Sequence, residues 1–84
     1  MDILKLRTFY HVAKLGSLTL AAKQLNYSIP SVSRQLTSLE ESLNIKLFNR
    51  QNHKLSLTLQ GEILFTKATY ILNEIDGVKN LLKD

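Results

Sequence analysis

The spacing of apolar positions divides the chain into four helical phrases and one stretch of strand-like alternation. Ile3, Leu6, Phe9, Tyr10 and Ala13 predict an amphipathic helix at the amino terminus. Leu18, Ala21, Ala22 and Leu25 recur at three- and four-residue steps and predict a second, shorter one. Ser17 is placed to cap that helix, and Asn26 to end it, because asparagine tolerates left-handed dihedrals. Ser28 can cap a third helix opening at about Ile29, with Pro30 in its first turn, where a missing N–H has no intrahelical acceptor to lose.

The third helix has two distinct faces. With Val32 at zero and 100° per residue, Leu36, Leu39 and Leu43 fall within about 40° of it and form a core stripe. Pro30, Arg34, Thr37, Ser38 and Glu41 lie within about 60° of the opposite side, flanked by Ser31 and Ser33. Two short helices joined by a tight polar turn, with the small Ala21 and Ala22 letting the second cross closely, have the layout of a helix-turn-helix. The outward hydroxyls and arginine suit base edges and phosphates in a major groove; they would also serve as plain solvated surface.

Beyond this helix the period falls to two. Leu47 to Arg50 and Leu55 to Thr58 read as short strands around the polar Gln51-Asn52-His53-Lys54, a two-stranded wing with Arg50, His53 and Lys54 at or near its tip. There they can reach phosphates or a minor groove, or serve as ordinary charges on a surface hairpin. From Thr58 the chain reads as one long helix. Leu64, Ala68, Ile71, Ile75, Val78 and Leu82 are spaced four, three, four, three, four, a helix-pairing seam extending roughly 27 Å. Leu59, Ile63 and Tyr70 then offer another face to the winged part, leaving the seam for a second copy; the alternative is a seam packed wholly within the single chain. The expected fold is mainly α: a winged helix-turn-helix of three helices and a two-stranded wing over 1–58, followed by a dimerisation helix over 59–84.

Composition narrows the function. The 84 residues carry a net charge of +4, distributed as +3 over Met1–Tyr27, +2 over Ser28–Thr58 and −1 from Leu59 onward, so the helix-turn-helix and wing hold the positive charge. No cysteine is present, which excludes disulfides and thiolate metal sites and suits a reducing cytoplasm. No signal peptide, membrane span or cofactor is expected. His11 and His53 lie far apart, without a carboxylate at metal-ligand spacing, an HExxH pair or a phosphate loop. Ser28, Ser31 and Ser33 fit capping and DNA contact better than nucleophilic catalysis, which needs a positioned base. The rival to double-stranded DNA as ligand is a winged-helix module that docks a protein and dimerises through its long helix.

Leu6, Phe9, the GSLTLAAKQLN of Gly16–Asn26, SIPSVSRQLTSLEESLN, LFNR and LSLTLQG together resemble the amino-terminal domain of LysR-type bacterial transcriptional regulators over nearly the whole chain. The resemblance implies homodimers on inverted operator half-sites, with the helix opening at Ser28 in the major groove. It sets Ile29, Pro30, Ser33 and Arg34 where family members touch DNA, and His53 where a wing basic residue reaches the minor groove. It makes the long helix a linker between subunits and implies a following effector-binding domain, so that this chain is expected to be part of a longer protein. Three positions depart from the family pattern. Ile29 replaces a usual glutamine and can touch a thymine methyl or turn toward the core edge; His53 replaces arginine; Asn44 replaces glycine, with the same left-handed capacity. Gly61 belongs to the family's LT-x-x-G phrase, whereas nothing in the sequence accounts for Gly77.

Overall fold

A computed structural model describes residues 1–51 and 54–83. The element order is α1 (Ile3–Leu15), α2 (Leu18–Leu25), α3 (Ile29–Leu43), β1 (Phe48–Gln51), β2 (Lys54–Leu57) and α4 (Leu59–Leu81). Mainly helical, with a two-stranded antiparallel wing between α3 and α4, this is the expected winged helix-turn-helix with its long helix.

Local chemistry sets the helix ends. Ser17 accepts a hydrogen bond from the Leu20 amide at 3.1 Å, and Ser28 accepts one from the Ser31 amide at 3.2 Å. Asn26 and Asn44 adopt left-handed dihedrals, with φ of 61° and 56°, and end α2 and α3. Two further caps lie in α1: the Asp2 carboxylate accepts from the Leu4 amide at 2.8 Å, and Gly16 closes the helix at φ 65°.

Helix α1 is the hub of the core. Its buried Leu6, Phe9 and Val12 meet Ala21 and Ala22 of α2, Val32, Leu36 and Leu39 of α3, Leu47 and Phe48 at the wing, and Ala68 and Leu72 of α4 in one cluster. The rings of Phe9 and Phe48 lie 5.4 Å apart in a tilted pair. The buried Thr8 hydroxyl donates to the Gln35 side-chain carbonyl at 2.6 Å and lies 3.1 Å from the Leu4 carbonyl, so α1 and α3 share a hydrogen bond inside the apolar contact.

The wing pairs Phe48 with Leu57 and Gln51 with Lys54 at its two ends. Each strand is displaced by one residue from the alternation read in the sequence. Leu47 drops out of β1 because its N–H is diverted to the Glu40 carboxylate at 2.7 Å, while its carbonyl still accepts from the Thr58 amide opposite it at 2.9 Å. Thr58 likewise leaves β2 to cap α4, accepting from the Gly61 amide at 3.0 Å. Gly61 is buried at this crossing.

The faces of α4 differ from the expected ones. Leu64, Ala68, Leu72 and Ile75 lie within about 80° of arc and pack on the protein's own core. Ala68 is wholly buried, and its small side chain lets α4 approach α1, while Tyr10 and Phe65 stack at 5.5 Å beside it. Leu64, Ala68 and Ile75 therefore do not belong to an outward seam. Leu59, Ile63 and Tyr70, expected against the winged part, are instead 70%, 56% and 67% exposed. Ile71, Val78 and Leu82 are exposed too. The Arg7 guanidinium and Asp76 carboxylate, 3.2 Å apart, hold the second half of α4 beside α1.

Candidate nucleic-acid interface

Packing of Val32, Leu36 and Leu39 sets the rotation of α3, and the opposite side of the helix is left to solvent. Ser28, Ile29, Pro30, Arg34 and Thr37 are exposed, and Ser31, Ser33 and Ser38 are half-buried. Three hydroxyls already have partners within the chain. Ser28 caps α3, Ser31 accepts from the Gln35 amide nitrogen at 3.4 Å, and Ser38 accepts from the Lys5 ammonium at 2.7 Å. Among the expected contact residues of α3, Arg34 and Thr37 are exposed and have no side-chain hydrogen bond or ion pair within the described residues. Ser38 is displaced from a purely outward role, because Lys5 of α1 reaches across to it.

The wing brings a second set of groups. Arg50 and Lys54 are exposed, and with Gly16, Ser17, Leu18 and Thr19 they line an open groove of about 690 Å³ between the start of α2 and the wing. Arg50 also borders a second groove of about 340 Å³ with Thr37, Glu40 and Lys46. One guanidinium is thus shared by the approach to α2 and the approach to the outward face of α3. Pairing of Arg50 with Leu55 and of Gln51 with Lys54 puts the arginine on the ribbon face of Phe48 and Leu57, and Lys54 on the other. His53 lies outside the described residues.

Sequence reasoning missed the group that ties the wing to α3. Glu40 of α3 accepts from the amides of both Leu47 and Phe48, at 2.7 and 3.3 Å. A carboxylate holding two adjacent backbone donors sets where β1 begins, and therefore where Arg50 stands relative to Thr37. The sequence does hold a signal: Glu40 sits about 80° from Val32 on the wheel, at the rim of the core stripe rather than with Glu41 on the outward side. Among the described residues, no group of three His, Cys, Asp or Glu side chains could hold a metal ion, and no helix is long and apolar enough to cross a membrane.

Known proteins share this arrangement. The chain is 44% identical over 71 residues to the HTH-type transcriptional regulator YofA of Bacillus subtilis, an alignment covering 84% of this chain and 25% of that protein. It therefore spans about a quarter of the length of this relative. The crystal structure of the BenM DBD/catB site 1 DNA complex superposes with a TM-score of 0.92 at 32% identity, covering 96% of this chain and 90% of that one. That of the CbnR DBD–DNA complex gives 0.85 at 34% identity, over 95% and 91%. Residues 3–62 match the family described as "Bacterial regulatory helix-turn-helix protein, lysR family". With the family match spanning helix-turn-helix, wing and the start of α4, this chain belongs to the lysR family and is its helix-turn-helix DNA-binding domain.

Proposed function

We propose that this domain binds operator DNA sequence-specifically as a homodimer, with the amino-terminal end of α3 in the major groove and the wing beside it. The observation that carries the reading is the rotation of α3: Val32, Leu36 and Leu39 in the core leave Arg34 and Thr37 outward, and Thr37 borders one groove with Arg50 of the wing. The groups for this role are Ser28, Ile29, Pro30, Ser31, Ser33, Arg34 and Thr37 on α3, with Arg50, His53 and Lys54 on the wing. Ser38, which accepts from Lys5, keeps its own hydroxyl proton for a DNA contact. The BenM and CbnR domains are each described in complex with DNA, which supports the same mode here.

The homodimer contact is assigned to the outward face of α4. Leu59, Tyr70, Val78 and Leu81 lie within about 60° of Ile63 on the wheel, with Ile71 and Leu82 at the edge, and all are exposed in the single chain. An apolar stripe of this length marks an interface, and a two-fold pairing would cover it. Such a dimer offers two α3 helices to successive major grooves, about 34–36 Å apart or a multiple of that spacing. The complete protein is proposed to be a cytoplasmic transcriptional regulator whose effector binds a domain beyond this one.

A salt titration of duplex binding tests the reading. If about four to six phosphates are neutralised per subunit, log K falls against log salt with a slope of about −4 to −5. A flat response would sink the DNA assignment and favour a protein-docking winged helix.

A further inference from the structure

We infer that Ile29 reads a thymine through its C5-methyl group in the major groove, which makes it a specificity-determining residue of this domain. The inference rests on the proposed placement of α3 and adds the chemical group that its first residue recognises. Ile29 is the first residue of α3, directly after the capping Ser28, and its side chain is 43% exposed. It stands neither in the buried core cluster nor among the partly buried residues packed on that cluster. The wheel alone left it free to turn toward the core edge, since it lies about 60° from Val32. Its place one turn before Val32 carries it past the end of the core instead.

Helix initiation does not call for isoleucine here. A β-branched residue has only middling helix propensity, and the cap is already supplied by Ser28. Scattered exposed aliphatic residues are ordinary on a protein surface, so exposure alone assigns nothing. What gives this one a role is its position at the end of the helix that approaches base edges, followed by Pro30, whose backbone has no N–H to offer. Isoleucine can neither donate to nor accept from a base. Of the groups lining the major groove, the apolar one in unmodified DNA is the thymine C5-methyl. A cytosine or adenine at the same step would present an amino group to an apolar side chain, a polar group desolvated without a partner.

The test uses the 84-residue chain and a duplex selected from a random-sequence library. Each thymine in one half-site is replaced in turn by deoxyuridine, which removes the methyl group and keeps the base pair. At one thymine the loss of the methyl should weaken wild-type binding by about fourfold, the effect of removing one buried methyl contact. At that same position Ile29→Ala should bind the thymine and deoxyuridine duplexes equally, while Ile29→Val keeps the discrimination. Thermal melts of the variants confirm folding, and the deoxyuridine series on the wild-type chain needs no variant at all. Salt-dependent wild-type binding that is indifferent to every deoxyuridine overturns the inference and leaves the DNA-binding proposal standing. Equal sensitivity in Ile29→Ala also overturns it, because the methyl is then sensed elsewhere. Absence of salt-dependent duplex binding overturns both.

Discussion

Gly61 lies so close to the Leu47 carbonyl oxygen that a β-carbon there would sit far inside van der Waals contact, and it would also come within 3.0 Å of Leu57 Cδ2. The obstacle is backbone, and the same backbone is fixed by Glu40 on its amide and Thr58 on its carbonyl. Gly61→Ala should therefore destabilise the domain by about 2 kcal/mol despite alanine's better helix propensity, since overpacking against a rigid neighbour typically costs 1–3. Gly77 is the control. A β-carbon there meets nothing within 4 Å, so Gly77→Ala should stabilise α4 by about 0.5–1 kcal/mol. Urea unfolding of the dilute chain checks both signs, and a stabilising Gly61→Ala would refute the crossing argument.

Glu40 should prove more important to the wing than its half-buried position suggests. Glu40→Ala strips the acceptor from the Leu47 amide, a residue with no exposure, and leaves the Phe48 amide without the same partner. An orphaned buried donor costs about 1–3 kcal/mol. Hydrogen exchange at the Leu47 and Phe48 amides should accelerate in Glu40→Ala well before exchange in α1 does. Glu40→Gln, which keeps one carbonyl acceptor, should fall between the two. Uniform acceleration across the chain would mean that the carboxylate acts on global stability rather than on the wing.

The contrast between these sites explains what the sequence made readable. Ser17, Asn26, Ser28 and Asn44 perform local tasks, each satisfied within a few residues, and their spacing was enough to place the ends of α2 and α3. Leu47 and Thr58 fall outside the strands because the Leu47 amide is claimed by Glu40 and the Thr58 hydroxyl caps α4, contacts that alternation does not encode. The faces of α4 were exchanged for a related reason. Apolar residues occupy both sides of that helix, and a seam read at alternating four- and three-residue steps joins Leu64 and Ala68, which face α1, to Ile71 and Val78, which do not. Leu72, the buried residue that would have separated the two sides, falls outside such a pattern. Ser38 shows the same limit on α3, since its partner Lys5 lies 33 residues away in sequence.

Arg34 tests the orientation of α3. Arg34→Ala should weaken binding to a selected operator by roughly 1–3 kcal/mol and leave the melting temperature nearly unchanged, because the side chain is exposed and makes no ion pair among the described residues. Val32→Asp, on the opposite face and with no exposure, should unfold the domain by burying an unpaired charge. An Arg34→Ala variant that binds the operator as well as wild type would mean that α3 does not enter the groove by this face.

Charge placed on α4 should separate dimerisation from folding. Ile71→Glu with Val78→Glu alters two exposed positions, so each chain should keep its fold while the apolar stripe is broken. Sedimentation should then report a monomer at tens of micromolar, where the proposed pairing makes the wild-type chain a dimer. Affinity should fall far more for an operator with two inverted half-sites than for a single half-site, because the second contact is no longer intramolecular. Ala68→Glu provides the opposite case on the same helix. That side chain is wholly buried against the domain's own core, and a carboxylate there should abolish cooperative unfolding whether or not a partner is present. If the double variant stays dimeric and binds the full operator as tightly as wild type, the outward face of α4 is not the subunit contact.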